Sequence, residues 1–427
     1  MNIGNRIDFP ETALVRQQLH QAPIDGIARQ LQPAAGRLLA GRPIRSGQSV
    51  AVGVGSRGIS RLDEVVHQTL RLLEQGGLKP VIVPAMGSHG GGTSRGQRQV
   101  LEKLGISEAA MGVPIAAEMD TDCIGSLKDG TQIHFARTAL QADHLVVINR
   151  VKLHTKFRAP VESGLCKMLT IGLGKAEGAA EFHRRAVHSG FGIIEDAARI
   201  VLNSTSILFG VALLEDGCGQ LSRIETVGPA EWIETEKRLL TEAAGMMGRI
   251  PFEHIDVLVV DRIGKDISGI GMDSNVTGRH RDLVGDFYSA PFVKRIFVRD
   301  LTPATGGNAN GIGLADATTR RLAEAVDREK TYKNAITAIS PEKAAIPICF
   351  DTDREAVAVC IGTAGVADPR QARLVRISST KSLELLQVST AFAPEIESKP
   401  NLALVSPWQP MGFDAHGNLL PWAEEDE

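Results

Sequence analysis

Between Arg150 and His183 the chain reads RVKLHTKFRAPVESGLCKMLTIGLGKAEGAAEFH, with two histidines and four lysines set among glycines and apolar side chains. Such residues are poor core material and good reaction chemistry. Imidazole changes charge near neutral pH and ligates metals, while a lysine amine beside a glycine-rich turn can hold a phosphate or form a covalent link to a cofactor. The active site is expected here.

His154 follows the apolar run HLVVIN and is flanked by Lys152 and Lys156. Ser163 and Gly164 precede a predicted helix start in ESGLCKMLTIGLGK, a geometry that offers free backbone amides to a phosphate. The full G-x-x-x-x-G-K-[ST] pattern is missing, so a nucleoside triphosphate loop matches poorly. Lys167 stays open between a cofactor lysine and a plain anion contact. His183 lies on a predicted helix with His188 five positions on, which is not the spacing of an H-E-x-x-H zinc pair, although a single metal-ligating His183 stays open.

Upstream, Arg57 in GVGSRGIS is placed to hold a substrate carboxylate by two parallel hydrogen bonds, or else is a solvated surface group. His89 in MGSHGGGTSRG is flanked by glycines that let backbone approach a ligand closely; it is a catalytic candidate or a structural loop histidine. Downstream, GKDISGIGMDSNVTGRH gathers Lys265, Asp266, Asp273, Asn275, Arg279 and His280, read as a second domain's side of a cleft.

These groups need a scaffold. At 427 residues the chain fits two domains rather than one core. Strands are predicted at Val50–Gly55, Lys79–Pro84, 144–149 and Ile207–Leu214. Helices are predicted at Arg61–Gln75, Arg95–Leu104, Ile193–Leu202 and about Pro229–Met247. Strand, glycine-rich loop and helix recur in that order, which points to a parallel sheet with ligand groups at the carboxyl ends of its strands. The fold class is therefore α/β: two α/β domains with parallel or mixed sheets and an interdomain active-site cleft. The boundary is placed near Arg249, giving 1–249 as the cofactor-binding domain and 250–399 as the domain that closes the cleft. The second domain is predicted to hold a strand at Val257–Val260, a helical stretch at Ala315–Tyr332, and strands near Ile346–Phe350 and Ala356–Ile361. The tail, about 400–427, is expected to pack back on the first domain.

Composition narrows the partners. With 47 basic and 50 acidic residues the net charge is −3 and like charges do not cluster, which favours neither nucleic acid nor an anionic membrane. No basic stretch leads into an apolar one at the start, and no apolar run reaches spanning length, so a cytoplasmic protein is expected. Five scattered cysteines without C-x-x-C spacing read as reduced thiols and exclude a zinc ribbon.

Taken in order, Arg57, the G-x-H-x-x-x-T of Gly87 to Thr93, His154, the S-G-x-x-K of Ser163 to Lys167, and His183 sixteen positions later resemble the lactate racemase family. The resemblance implies a nickel-pincer nucleotide, a pyridinium mononucleotide whose sulfur arms and ring carbon hold nickel. It implies that Lys167 is tethered to that cofactor through a thioamide, with Ser163 and Gly164 at its binding loop. His183 would supply a nickel ligand, His89 and His154 the paired acid and base, and Arg57 the carboxylate contact. The activity implied is racemisation or 2-epimerisation of an α-hydroxy acid, with a small hydroxy acid and the cofactor-biosynthesis enzymes as partners and an oligomeric state left open. The chain departs from the family at Val54, where an Asp is expected, at Gly90, where an Arg is usual, and in a longer loop between His154 and Lys167. Those departures point away from lactate toward a larger hydroxy acid or sugar acid. The rival readings are a mononuclear metal-dependent hydrolase or lyase using His89, His154 and His183, and a non-catalytic sugar-acid binding protein.

Overall fold

The structure, a computed structural model, describes residues 7–421 with the exception of Arg57 and Val284. The chain divides into two compact units, one of Gln21–Met247 and one that begins at Gly248 and also takes in the segment up to His20. Among the described residues no helix is long and apolar enough to cross a membrane.

In the first unit five strands form one sheet: β1 (Ser49–Val54), β2 (Lys79–Pro84), β3 (His144–Arg150), β4 (Ile207–Glu215) and β5 (Leu221–Val227), in the order β2-β1-β3-β4-β5. The first four are parallel and β5 returns antiparallel to β4. Val50, Ala51, Val52 and Val54 are fully buried, because a parallel strand covered on both faces reads as a continuous apolar run. β2 carries Pro80 and Pro84, and it lies at the end of the sheet order, where missing N–H donors cost least. The helix Leu62–Gln75 follows β1 and buries Leu62, Val65, Val66, Leu70 and Leu73 at helical spacing.

The sheet grows in both directions from β1. One crossover leads to β2 on one side, and the later strand β3 occupies the other. Loops leaving the carboxyl ends of β1 and β3 therefore diverge, which is where open α/β sheets leave a crevice.

The second unit holds a larger mixed sheet. Its parallel strands are β6 (His254–Ile263), β7 (Phe292–Leu301), β8 (Ala317–Thr319), β9 (Ile348–Phe350) and β10 (Leu374–Ile377), ordered β9-β8-β7-β6-β10. Beyond β10 lie β11 (Leu385–Ser389), then Glu11–Gln17 and Leu402–Leu404, all antiparallel.

Within the second unit the tail strands Leu402–Leu404 and Gln409–Pro410 pair with Glu11–Gln17, which satisfies backbone groups that strand would otherwise leave open. Two expectations change. The run Ala356–Ile361, predicted as a strand, belongs to the helix Asp353–Thr363. Its Ala356, Val357, Cys360 and Ile361 share one buried face, and Thr352 caps its start by accepting from the Glu355 N–H. The stretch Ala315–Tyr332 is helical only in part, since β8 runs through it before the helices Arg320–Glu324 and Arg328–Thr337.

The tail is tied down by buried charge. Arg376 on β10 and Arg299 on β7 share the Asp261 carboxylate at 2.9 and 3.0 Å, and Arg299 also reaches Asp353 at 2.7 Å. Arg376 donates further to the Leu420 carbonyl at 3.0 Å, and Arg299 to that of Leu419 at 3.3 Å. Asp261→Ala leaves two buried guanidinium groups short of a carboxylate, so urea denaturation of the full chain is expected to show a loss of about 3–5 kcal/mol.

Candidate functional site

The chemistry-bearing loops leave one edge of the first sheet. Ser56 follows β1, His89 follows β2 and His154 follows β3, and adjacent strands lie about 4.8 Å apart. The loop from Lys152 to Ser163 is closed at its base, where the two residues exchange backbone hydrogen bonds at 2.8 and 3.2 Å. Inside it Glu162, almost fully buried, accepts the N–H of His154 at 2.5 Å and that of Ala159 at 3.3 Å. Burial raises the pKa of that carboxyl above the ordinary value. A longer loop is thus compatible with a fixed His154.

The His154 ring is held from three directions. Its Nδ1 accepts the Lys156 N–H at 3.0 Å, its Nε2 lies 2.6 Å from Lys167 Nζ, and its face stacks on Phe157 with centroids 4.2 Å apart. Phe157 stacks in turn on Phe191 at 4.0 Å, and the His183 ring meets Phe191 edge-on at 6.1 Å. Phe191 gets there because the helix Lys175–Ser189, which carries His183, stops at Gly190 with φ of 68°. Buried Lys156 sits with its Nζ 5.9 Å from the same Phe191 ring. His154, Lys167 and His183 therefore gather around one aromatic pair.

Lys167 ends a short helical turn, Leu165–Lys167, that widens at once into a π-helical segment, Met168–Gly172. Widened turns of this kind recur at functional sites. Here Glu236 is fully buried on the helix Trp232–Met246. Its Oε2 accepts the Cys166 N–H at 2.7 Å, so an internal carboxylate takes that amide at the helix start. A Cβ on Gly164 would lie 2.2 Å from Glu236 Oε1, which explains the glycine. Burial pushes the Glu236 pKa up to about 7, and burial beside Glu236 pushes the Cys166 thiol well up, so Cys166 is no thiolate nucleophile.

His89 is exposed, and its Nδ1 makes a short hydrogen bond to the Ser56 hydroxyl. Its loop docks on the π segment: the Gly87 N–H donates to the Gly172 carbonyl at 3.0 Å. Gly90 has φ of 64°, and a Cβ there would lie 2.5 Å from the Gly96 backbone, so this loop has no room for an arginine at that position. Val54 is fully buried in the core, where an aspartate would be costly.

Lys175, not singled out by the sequence reading, is the fourth lysine of the segment and is fully buried at φ of 54°. It donates to the Pro84 carbonyl at 2.8 Å and to Gln97 Oε1 at 3.3 Å; Gln97 in turn donates to the Gly87 carbonyl at 2.8 Å. Desolvation lowers its pKa to about 8. The signal for it lay in GLGK, a lone cation closing an apolar run.

Arg57 lies outside the described residues. In the second unit, Arg279 is engaged with Asp316 at 2.6 Å and with the carbonyls of Val293 and Lys294, while Asn275 and His280 are buried. Arg279 is thereby tied into its own unit. Among the described residues no three His, Cys, Asp or Glu side chains form a metal site, so the three-histidine centre of the hydrolase reading is not assembled.

Residues 58–263 match a family model described as a domain of unknown function, DUF362. No curated protein matches the chain. Among solved structures the chain is similar to the lactate racemase apoprotein from Thermoanaerobacterium thermosaccharolyticum, with a TM-score of 0.52 and 11% identity over 88% of this chain and 94% of that one. The fold is that of this racemase.

Two outcomes are expected. Glu236 is neutral in the fold up to about pH 7 but titrates near 4.5 when unfolded, so its contribution is fully present below pH 4.5 and is lost as pH rises through 7. The unfolding free energy of the wild type should fall over that window relative to Glu236→Gln, by about 3.5 kcal/mol at roughly 1.4 kcal/mol per unit, read by urea denaturation. Lys175→Met leaves the Pro84 carbonyl unpaired, which should cost about 1–3 kcal/mol and speed amide hydrogen exchange in residues 85–97.

Proposed function

We propose that this chain is a racemase or 2-epimerase of α-hydroxy acids whose resident group is a nickel-pincer nucleotide. The observation that carries this reading is the gathering of the Lys167 amine, the His154 ring and the His183 ring around the Phe157–Phe191 pair. An amine for a covalent tether and an imidazole for a soft divalent metal are the donors such a group needs. Lys167 would hold it through a thioamide and His183 would ligate its nickel. Its phosphate must find amides other than those at Cys166, which Glu236 already takes.

When bound, the group supplies an acceptor that takes hydrogen with its electron pair from the hydroxyl carbon and gives it back on the other face. The chain's own residues handle the proton. In the tautomer that donates Nδ1–H to Ser56, His89 presents the lone pair of Nε2 to a substrate hydroxyl. His154, with Nδ1 occupied by the Lys156 N–H, presents Nε2–H as a donor. Arg57, three positions after Val54 in the sequence, would orient the substrate carboxylate. The departures from the lactate racemase pattern at Val54 and Gly90 favour an acid other than lactate, such as a larger sugar acid inverted at carbon 2.

The chain coproduced with cofactor-making enzymes should carry added mass on the peptide containing Lys167, lost in Lys167→Arg. His183→Ala should keep that mass while nickel content drops by at least about tenfold, a loss that even changes around a metal's ligands can bring. A matched hydroxy acid deuterated at the inverted carbon should retain its label, and wash-out into water would overturn the mechanism.

A further inference from the structure

We infer that Lys167 is held as a free-base amine by His154 before any cofactor is attached, which makes it an acylation site in the ligand-free chain. The proton count around one imidazole carries this. Nδ1 of His154 accepts the Lys156 backbone N–H, a group that can only donate, so Nδ1 bears no proton. The single proton of a neutral imidazole then sits on Nε2, which lies 2.6 Å from Lys167 Nζ. Nε2–H donates, and the nitrogen that receives it must offer a lone pair. An ammonium group has none.

The surroundings permit this. Lys167 is half-buried, and the Phe157–Phe191 stack backs its partner ring with apolar surface, which disfavours an added charge. The charged and titratable groups around the couple include Glu162, Arg158, Lys156, His183 across Phe191, and Glu236 behind Cys166. Both oxygens of Glu162 already accept backbone N–H groups.

The natural reaction would be with an activated acyl or thioacyl donor. The Nζ lone pair forms the new C–N bond, the bond to the leaving group breaks with its electron pair, and the surplus ammonium proton leaves with that group or to water. Once Nζ is an amide its lone pair is delocalised and stops accepting, so Nε2–H of His154 is released toward substrate. Tethering would thereby switch on the acid. The inference deepens the tether reading and rests on it only for the identity of the donor.

The test uses the full ligand-free chain and the acetyl ester of N-hydroxysuccinimide at trace dose between pH 6 and 10, with acetylation followed lysine by lysine in peptide mass spectra. The exposed Lys103 and Lys330 serve as comparators in the same digest, beside added Nα-acetyl-lysine, whose acetylation should rise by about tenfold per unit toward an ordinary lysine pKa of about 10.4. Lys167 should stay within about twofold from pH 7 upward and lead them at pH 7 by at least about tenfold. In His154→Phe, checked for folding by circular dichroism, Lys167 should regain the sloping profile; if that variant does not fold, the wild-type profile decides. A Lys167 profile parallel to that of Lys330 overturns the inference. A flat profile with no cofactor mass on coproduction leaves it standing and removes the tether reading instead.

Discussion

Two neighbouring parallel strands whose crossovers run to opposite sides cannot close the gap at their carboxyl ends with backbone. β1 and β3 are such a pair, and what surrounds the candidate site follows from them. The loop after β3 is long enough to fold back and bond to itself at Lys152 and Ser163, which turns a flexible connection into a rigid bracket for His154. The loop after β2 cannot do the same with its run of glycines, so it is pinned from below by Lys175 and Gln97. The same edge thus carries one histidine on a self-braced loop and one on a loop braced by a buried cation.

Charge inside the first unit is spent on positioning. Glu162 and Glu236 are both buried carboxyls whose pKa values are raised by desolvation, and both accept backbone N–H groups, Glu162 with Arg158 at the margin, 3.9 Å away. A carboxyl in that state fixes the backbone on which it acts. The second unit uses the opposite arrangement, where Asp261 and Asp353 are paired directly with Arg376 and Arg299. There the charges hold strands and tail together.

Much of the first unit was legible because its strands are apolar on both faces and its helices keep strict spacing, as at Leu62, Val65, Val66, Leu70 and Leu73. The site was legible for a different reason: histidines and lysines are conspicuous among glycines. Glu236 was not, since its role depends on a contact across seventy positions of chain with Cys166. The misread strand at Ala356–Ile361 shows the limit of a short apolar run, which fits a buried helix face as well as a strand until Thr352 is recognised as its cap. Nor could spacing reveal that Glu11–Gln17 leaves its neighbours in sequence to join a sheet completed hundreds of residues later.

That last pairing sets an order of events during synthesis. Thr12 lies opposite Ser389 and Val15 opposite Leu404, so the ribosome delivers this strand long before either partner exists. At about 5–20 residues per second the wait lasts some tens of seconds, ample time for the unit Gln21–Met247 to collapse on its own local contacts. Throughout that interval a ribbon carrying the apolar residues Ala13, Leu14 and Val15 hangs unmatched. Its protection in the cell must therefore come from speed of elongation or from a chaperone, and a ribosome stalled in the second half of the message would release a species with one well-formed lobe and one sticky thread.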